Sequence, residues 1–109
     1  MLNNKTMNVV QTAKNGVVNH ETLFHFTQKG DLVSAQYTGG LIKQGYLVGS
    51  LTNQKLRFSY CQIRTDGQMD HGTSECTLSS DKGKIMLEEK FEMDSENGRF
   101  LGTNVFREL

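Results

Sequence analysis

Leu23–Leu51, LFHFTQKGDLVSAQYTGGLIKQGYLVGSL, decides the fold. Lys29-Gly30 and Gly39-Gly40 divide it into three runs. Within each run apolar and polar residues alternate, the period of a strand with two unlike faces. Lys29-Gly30 reads as a two-residue hairpin loop. That loop sets Gln28 opposite Asp31, Phe26 opposite Val33, Phe24 opposite Ala35 and Thr22 opposite Tyr37. Cross-strand partners share a side of the sheet, so Phe24, Phe26, Val33, Ala35 and Tyr37 form one largely apolar face. The third run, from Leu41, divides into Leu41, Lys43, Gly45, Leu47, Gly49 and Leu51 on one side and Ile42, Gln44, Tyr46, Val48 and Ser50 on the other. The first set is expected inside, although both sides carry apolar residues.

Outward from this stretch the pattern repeats. Lys5–Thr12 predicts a first strand with Met7 and Val9 on one face, preceded by Met1–Asn4, which are expected to fray. Asn15-Gly16 marks the turn that leads into the second strand, Glu21–Gln28. Lys55–Thr65 turns Leu56, Phe58, Tyr60 and Gln62 one way. Asp66-Gly67 is a hairpin signal, and Gln68–Ser79 follows with Gly72, Ser74, Cys76 and Leu78 on its inner face. A strict two-residue loop would set Tyr60 against Thr73, so this parity requires a bulge or a three-residue loop at Gly67. Lys84–Met93 points Ile85, Leu87, Glu89, Phe91 and Met93 inward. Arg99–Glu108 does the same with Phe100, Gly102, Asn104, Phe106 and Glu108. Although LEEKFEMDSE has helical composition, its apolar residues recur every second position, and the period decides for strand.

Eight strands with short links and no crossover predict an all-β, single-domain protein spanning residues 1–109. An open sheet of that size would expose an apolar face and two edges. Closure into an antiparallel up-and-down β-barrel removes both, with a two-sheet sandwich as the alternative. Eleven glycines and no proline suit tight turns in such a meander.

Composition excludes several classes of function. Twelve basic and twelve acidic residues cancel, and no basic cluster is present to attract nucleic acid or an anionic membrane. The N-terminal residues lack the apolar region of a secretory signal, and no run approaches a membrane-spanning helix, so the expected location is the cytoplasm. Cys61 and Cys76 fall on opposite faces and read as reduced thiols. His20, His25 and His71 show no metal-ligand spacing, so neither metal nor cofactor is expected.

The interior carries the functional signal. Gly45, Gly49, Gly72 and Gly102 point inward, and two readings are open. They form a cavity, or they relieve strain and admit large neighbours such as Phe91. The polar residues Tyr37, Tyr60, Gln62, Ser74, Glu89 and Asn104 share that interior. Glu89 lies between Leu87 and Phe91, and a buried carboxylate needs partners; Tyr37, Tyr60 and Asn104 are candidate donors. The set reads either as a closed network or as a site for a small, partly apolar ligand. Glu89 would then anchor the ligand or, in an enzyme, act as acid or base. A third reading is a homo-oligomer formed through Ile42, Tyr46 and Val48.

The arrangement Tyr37-x-Gly39-Gly40, Gly45-x-Leu47-x-Gly49, Tyr60-x-Gln62, Gly72, Gly83-Lys84-Ile85, Glu89-Lys90-Phe91, Gly102 and Arg107-Glu108-Leu109 resembles a group of small bacterial proteins often labelled N-acetylglutamate synthase. The resemblance covers about Glu21 to the end and implies an avidin-like or lipocalin-like barrel. Phe91 stands near where that group carries tryptophan. The label implies an acetyltransferase; the sequence itself shows no glycine-rich turn at a helix N-terminus for the pyrophosphate of acetyl-CoA. The residues therefore favour a binding barrel.

Overall fold

A computed structural model describes residues 1–109. It contains eight antiparallel strands: β1 (Thr6–Gln11), β2 (Leu23–Lys29), β3 (Leu32–Gly39), β4 (Ile42–Thr52), β5 (Lys55–Arg64), β6 (Met69–Asp81), β7 (Lys84–Ser95) and β8 (Gly98–Glu108). Each pairs with the next, and β1 pairs with β8, so the sheet closes as an up-and-down barrel. Closure leaves no sheet edge, and alternation sends every second side chain to the interior.

The β2–β3 hairpin differs from expectation in its loop but not in its faces. Lys29 pairs with Leu32, Phe26 with Ala35 and Phe24 with Tyr37, so the turn residues are Gly30 and Asp31. Only Gly30 has positive φ, at 63°. That is the type II′ pattern, which wants glycine first. Turning at Lys29-Gly30 in type I′ would have forced Lys29 to positive φ. The register moves by two residues, so Phe24, Phe26, Val33, Ala35 and Tyr37 remain on one side, all buried.

In β4 the expected face holds only in part. Gly45 and Leu47 are buried and Gly49 half-buried, but Leu41 and Lys43 are exposed and Ile42 is buried. The cause is a bulge against β5. Ile42 pairs with Arg64 and Gln44 with Ile63, and the extra residue reverses the parity at the start of the strand. This also removes Ile42 from the outer face on which an oligomer contact was expected. At β5–β6 the Arg64 N–H donates to the Gln68 carbonyl at 2.8 Å, enclosing a three-residue loop. Gly67 in that loop has φ 90°, and Tyr60 faces Gly72.

Leu2, Asn3 and Asn4 each hydrogen-bond to β2. Leu2 is 0% exposed, its N–H donates to Gln28 Oε1 at 2.9 Å, and the Asn4 N–H reaches the Phe26 carbonyl at 3.0 Å. An apolar residue at the second position was a legible sign of a tied terminus. Its burial fills the barrel end where β2 turns into β3.

Each inward glycine faces an aromatic residue on the neighbouring strand. The pairs are Gly45–Tyr37, Gly49–Phe58, Gly72–Tyr60 and Gly102–Phe91. A Cβ on Gly45 would run into the Tyr37 ring, and one on Gly102 would lie 2.6 Å from Phe91 Cζ. At Gly72 it would lie 2.8 Å from the Tyr60 hydroxyl, and at Gly49 2.6 Å from Phe58 Cβ. Gly45 and Gly102 therefore seat rings, whereas at Gly49 and Gly72 the nearest atoms to an added Cβ are the backbone carbonyl oxygens of Arg57 and Glu92, the close approach of a tightly coiled sheet. Gly45→Ala should push the Tyr37 ring from its stack on Phe24, where the centroids are 4.3 Å apart. Thermal denaturation should register a loss of about 1–3 kcal/mol for such overpacking, or roughly 4–8 °C in Tm for each kcal/mol.

Candidate functional site

Glu89 lies midway along β7, with Cys76 of β6 and Asn104 of β8 as its direct cross-strand neighbours. It is 5% exposed. Ser74 Oγ donates to its Oε2 at 2.7 Å and Asn104 Nδ2 to its Oε1 at 2.8 Å. Asn104 is engaged twice, because its Oδ1 accepts the Ala13 N–H at 2.9 Å. Burial holds the Glu89 carboxyl well above its ordinary value near 4.5, while the bonds from Ser74 and Asn104 oppose that shift. The Cys76 thiol beside it is pushed up by burial and then by the Glu89 charge.

A second polar cluster is centred on Asp70, four residues before Ser74 on β6. Tyr37 Oη donates to Gln62 Oε1 at 2.8 Å, and Gln62 Nε2 donates to Asp70 Oδ2 at 2.9 Å. Arg64 closes the chain with a two-pronged pair, Nε to Oδ2 at 3.0 Å and Nη2 to Oδ1 at 2.9 Å. This fork compensates a carboxylate whose side chain is 0% exposed. Burial raises the Tyr37 and Tyr60 phenols, so both remain protonated donors at neutral pH. No buried side-chain nitrogen or oxygen lacks a partner.

Between the clusters lies a cavity of about 30 Å³, room for roughly two waters. Phe58, Phe91, Phe106 and Met93 supply most of its wall; Tyr60, Gln62, Glu89 and Asn104 supply the polar part. Phe24 of β2 adds to the barrel wall, and one part of the lining is not barrel. It is Gly16, Val17 and Val18, from the segment between β1 and β2.

Of the expected site residues, Tyr60, Gln62, Glu89 and Asn104 converge on this cavity. Ser74 meets Glu89 without lining it, and Tyr37 is held off by its stack on Phe24. Neither tyrosine donates to Glu89 as expected, since Tyr37 bonds Gln62 and Tyr60 reaches the Glu92 carbonyl at 3.3 Å. The expected set lacked Asp70, Arg64 and Val17. Asp70 had a signal, because it shares parity with Gly72 and Ser74. Val17 had one too, as half of an apolar pair within an otherwise polar link.

A closed antiparallel barrel of eight strands with a polar cluster inside defines the calycin-like class. The family model described as "Avidin-like protein" matches residues 1–109. The chain belongs to that family, as the glycine and aromatic pattern implied. No curated protein and no solved structure matches it.

Because the carboxyl of Glu89 is raised, the folded state binds more protons than the unfolded one above about pH 4.5. Its contribution is therefore fully present at low pH and falls as pH rises through the folded value. Glu89→Gln should remove that slope, since glutamine accepts from Asn104 and donates to Ser74. Denaturation of both proteins from about pH 4 to about pH 9 should give a stability difference that moves in favour of glutamine with rising pH. A difference that moves the other way would mean that the native fold stabilises the ionised carboxylate.

Proposed function

We propose that this barrel binds a small, largely apolar molecule bearing one hydrogen-bonding head group, with the head group at Glu89 and Asn104. The carrying observation is a buried carboxyl on the wall of an otherwise mostly apolar interior cavity. Burying a carboxyl there costs stability that an apolar residue would not. Family membership supports binding by the barrel in general terms. Gln62 and Tyr60 would meet the far side of the ligand.

Toluene, benzamide and benzylamine form a matched probe set for nitrogen-15 NMR titration. The amide and the amine should bind roughly tenfold or more tightly than toluene, the value of one hydrogen bond to a buried or charged group. The shifts should centre on Glu89 and Asn104. Benzylamine should bind more tightly as pH rises through the Glu89 titration, because its ammonium favours the ionised carboxylate, and Glu89→Gln should abolish that dependence. Failure of all three probes to perturb the interior at millimolar concentration would end this reading.

The outer face of β4 favours a second property, self-association. Tyr46 and Val48 are each more than half exposed there. Beside them the outer side of β4–β8 is concave, with Leu101 on its far rim. Sedimentation should show the wild type as a dimer or larger and Val48→Lys as a monomer; a monomeric wild type at every concentration would remove the property.

A further inference from the structure

The cavity as it stands is too small for any molecule with a ring or a branched chain. Its space of about 30 Å³ holds roughly two waters. One wall must move for anything larger to enter. Most of the walls are strands, and each strand is held by ladders to both neighbours. The exception is the segment between β1 and β2. From Ala13 to Val18 its hydrogen bonds to the barrel are two: the Ala13 N–H to Asn104 Oδ1 at 2.9 Å and Asn15 Nδ2 to the Leu101 carbonyl at 3.0 Å. The Gly16 N–H turns back to the Ala13 carbonyl at 3.2 Å, within the segment. Beyond it, His20 is held by Asn8 Nδ2 and Thr22 by the Gly39 carbonyl. The segment is thus anchored firmly at its far end and lightly over the cavity.

What the segment places there is specific. Val17 is 9% exposed and belongs to the apolar core, while the Ala13 N–H occupies Asn104, the residue that also holds Glu89. A backbone N–H and a branched aliphatic side chain together fill the mouth of the barrel. All buried polar groups are satisfied in this arrangement, so a ligand must replace these contacts rather than add to them.

We propose that Ala13–Val18 is a displaceable wall that occupies the ligand's place, and that the ligand class is a small amide or ammonium compound carrying a branched-alkyl or single-ring group. The ligand's N–H takes over Asn104 Oδ1 from Ala13, and its apolar part takes over the volume of Val17. Val17 thereby sets the size of ligand accepted. This rests on the binding reading above, but the movement of the segment can be tested without any ligand.

Amide hydrogen exchange on the unliganded protein is the first arm. The Ala13 amide, although hydrogen-bonded, should exchange at least a hundredfold faster than the Phe91 amide, by local opening. Asn15→Ala, which removes the bond to Leu101, should speed Ala13 further and leave Phe91 unchanged. Exchange of Ala13 only at the rate of the barrel core would overturn the displaceable wall whatever binds. The second arm uses isovaleramide and N,N-dimethylisovaleramide as probes. Isovaleramide should bind, move the Val17 methyl resonances to solvent-exposed positions, and bind about tenfold more tightly to Val17→Ala, whose segment competes less well. The dimethyl compound, which has no N–H, should bind at least tenfold more weakly. Equal affinity for wild type and Val17→Ala, with the Val17 methyls unmoved, would overturn the exchange of ligand for segment and leave the binding reading standing. Absence of binding to either protein, with fast exchange at Ala13, would overturn the ligand class and count against the binding reading, while the segment's mobility stood.

Discussion

Four glycines facing four aromatic rings are the constraint on which the barrel depends. An eight-stranded barrel has an interior wide enough for side chains but not for a ring from every strand. The pairing of Tyr37 with Gly45, Phe58 with Gly49, Tyr60 with Gly72 and Phe91 with Gly102 solves this by alternating the largest and smallest residues around the circumference. A glycine within a strand lacks a side chain to pack and costs backbone entropy. At Gly45, Gly72 and Gly102 an aromatic ring packs against the glycine and restores the contact. The same pairs fix the register, because a slip of one residue would take each aromatic residue off its glycine and turn the core to solvent.

Two polar clusters lie in the interior, and both draw a residue from the inner face of β6, Asp70 and Ser74. One joins Tyr37, Gln62, Asp70 and Arg64; the other joins Ser74, Glu89 and Asn104. They differ in charge logic. Asp70 has a guanidinium to balance it, whereas Glu89 has only neutral donors. Burial therefore dominates at Glu89 and raises its carboxyl above the ordinary value.

Most of the architecture was legible because a strand's period of two survives errors in its loops. The hairpin at Gly30 is displaced from its expected position, yet the faces of β2 and β3 are unchanged, since the register moved by an even number of residues. Where the period itself broke, the reading failed: the bulge at Ile42 is a backbone event that no side-chain alternation announces. Tyr60, Gln62, Glu89 and Asn104 were legible as a converging set because parity alone sends them inward. The glycines admitted two readings, and the one that seats a large neighbour such as Phe91 matches Gly102, whose added Cβ would meet the Phe91 ring. Val17 lay beyond the reach of periodicity, because a link between strands has none.

The closure of the barrel is uneven around its circumference. β7 and β8 pair without interruption from Met86–Arg107 to Ser95–Gly98, whereas β1 meets β2 only at Thr6–His25 and Met7–Phe24. The backbone bonds of Asn4 and Lys5 to Phe26 extend that seam, but no ladder continues beyond Met7 toward the start of β2. The barrel is in effect a hoop with one short stave, and strain applied to it will part the hoop at that stave first. Because β1 runs directly into the segment that covers the cavity, the weakest line of the sheet adjoins the one stretch of the cavity lining that no strand supplies.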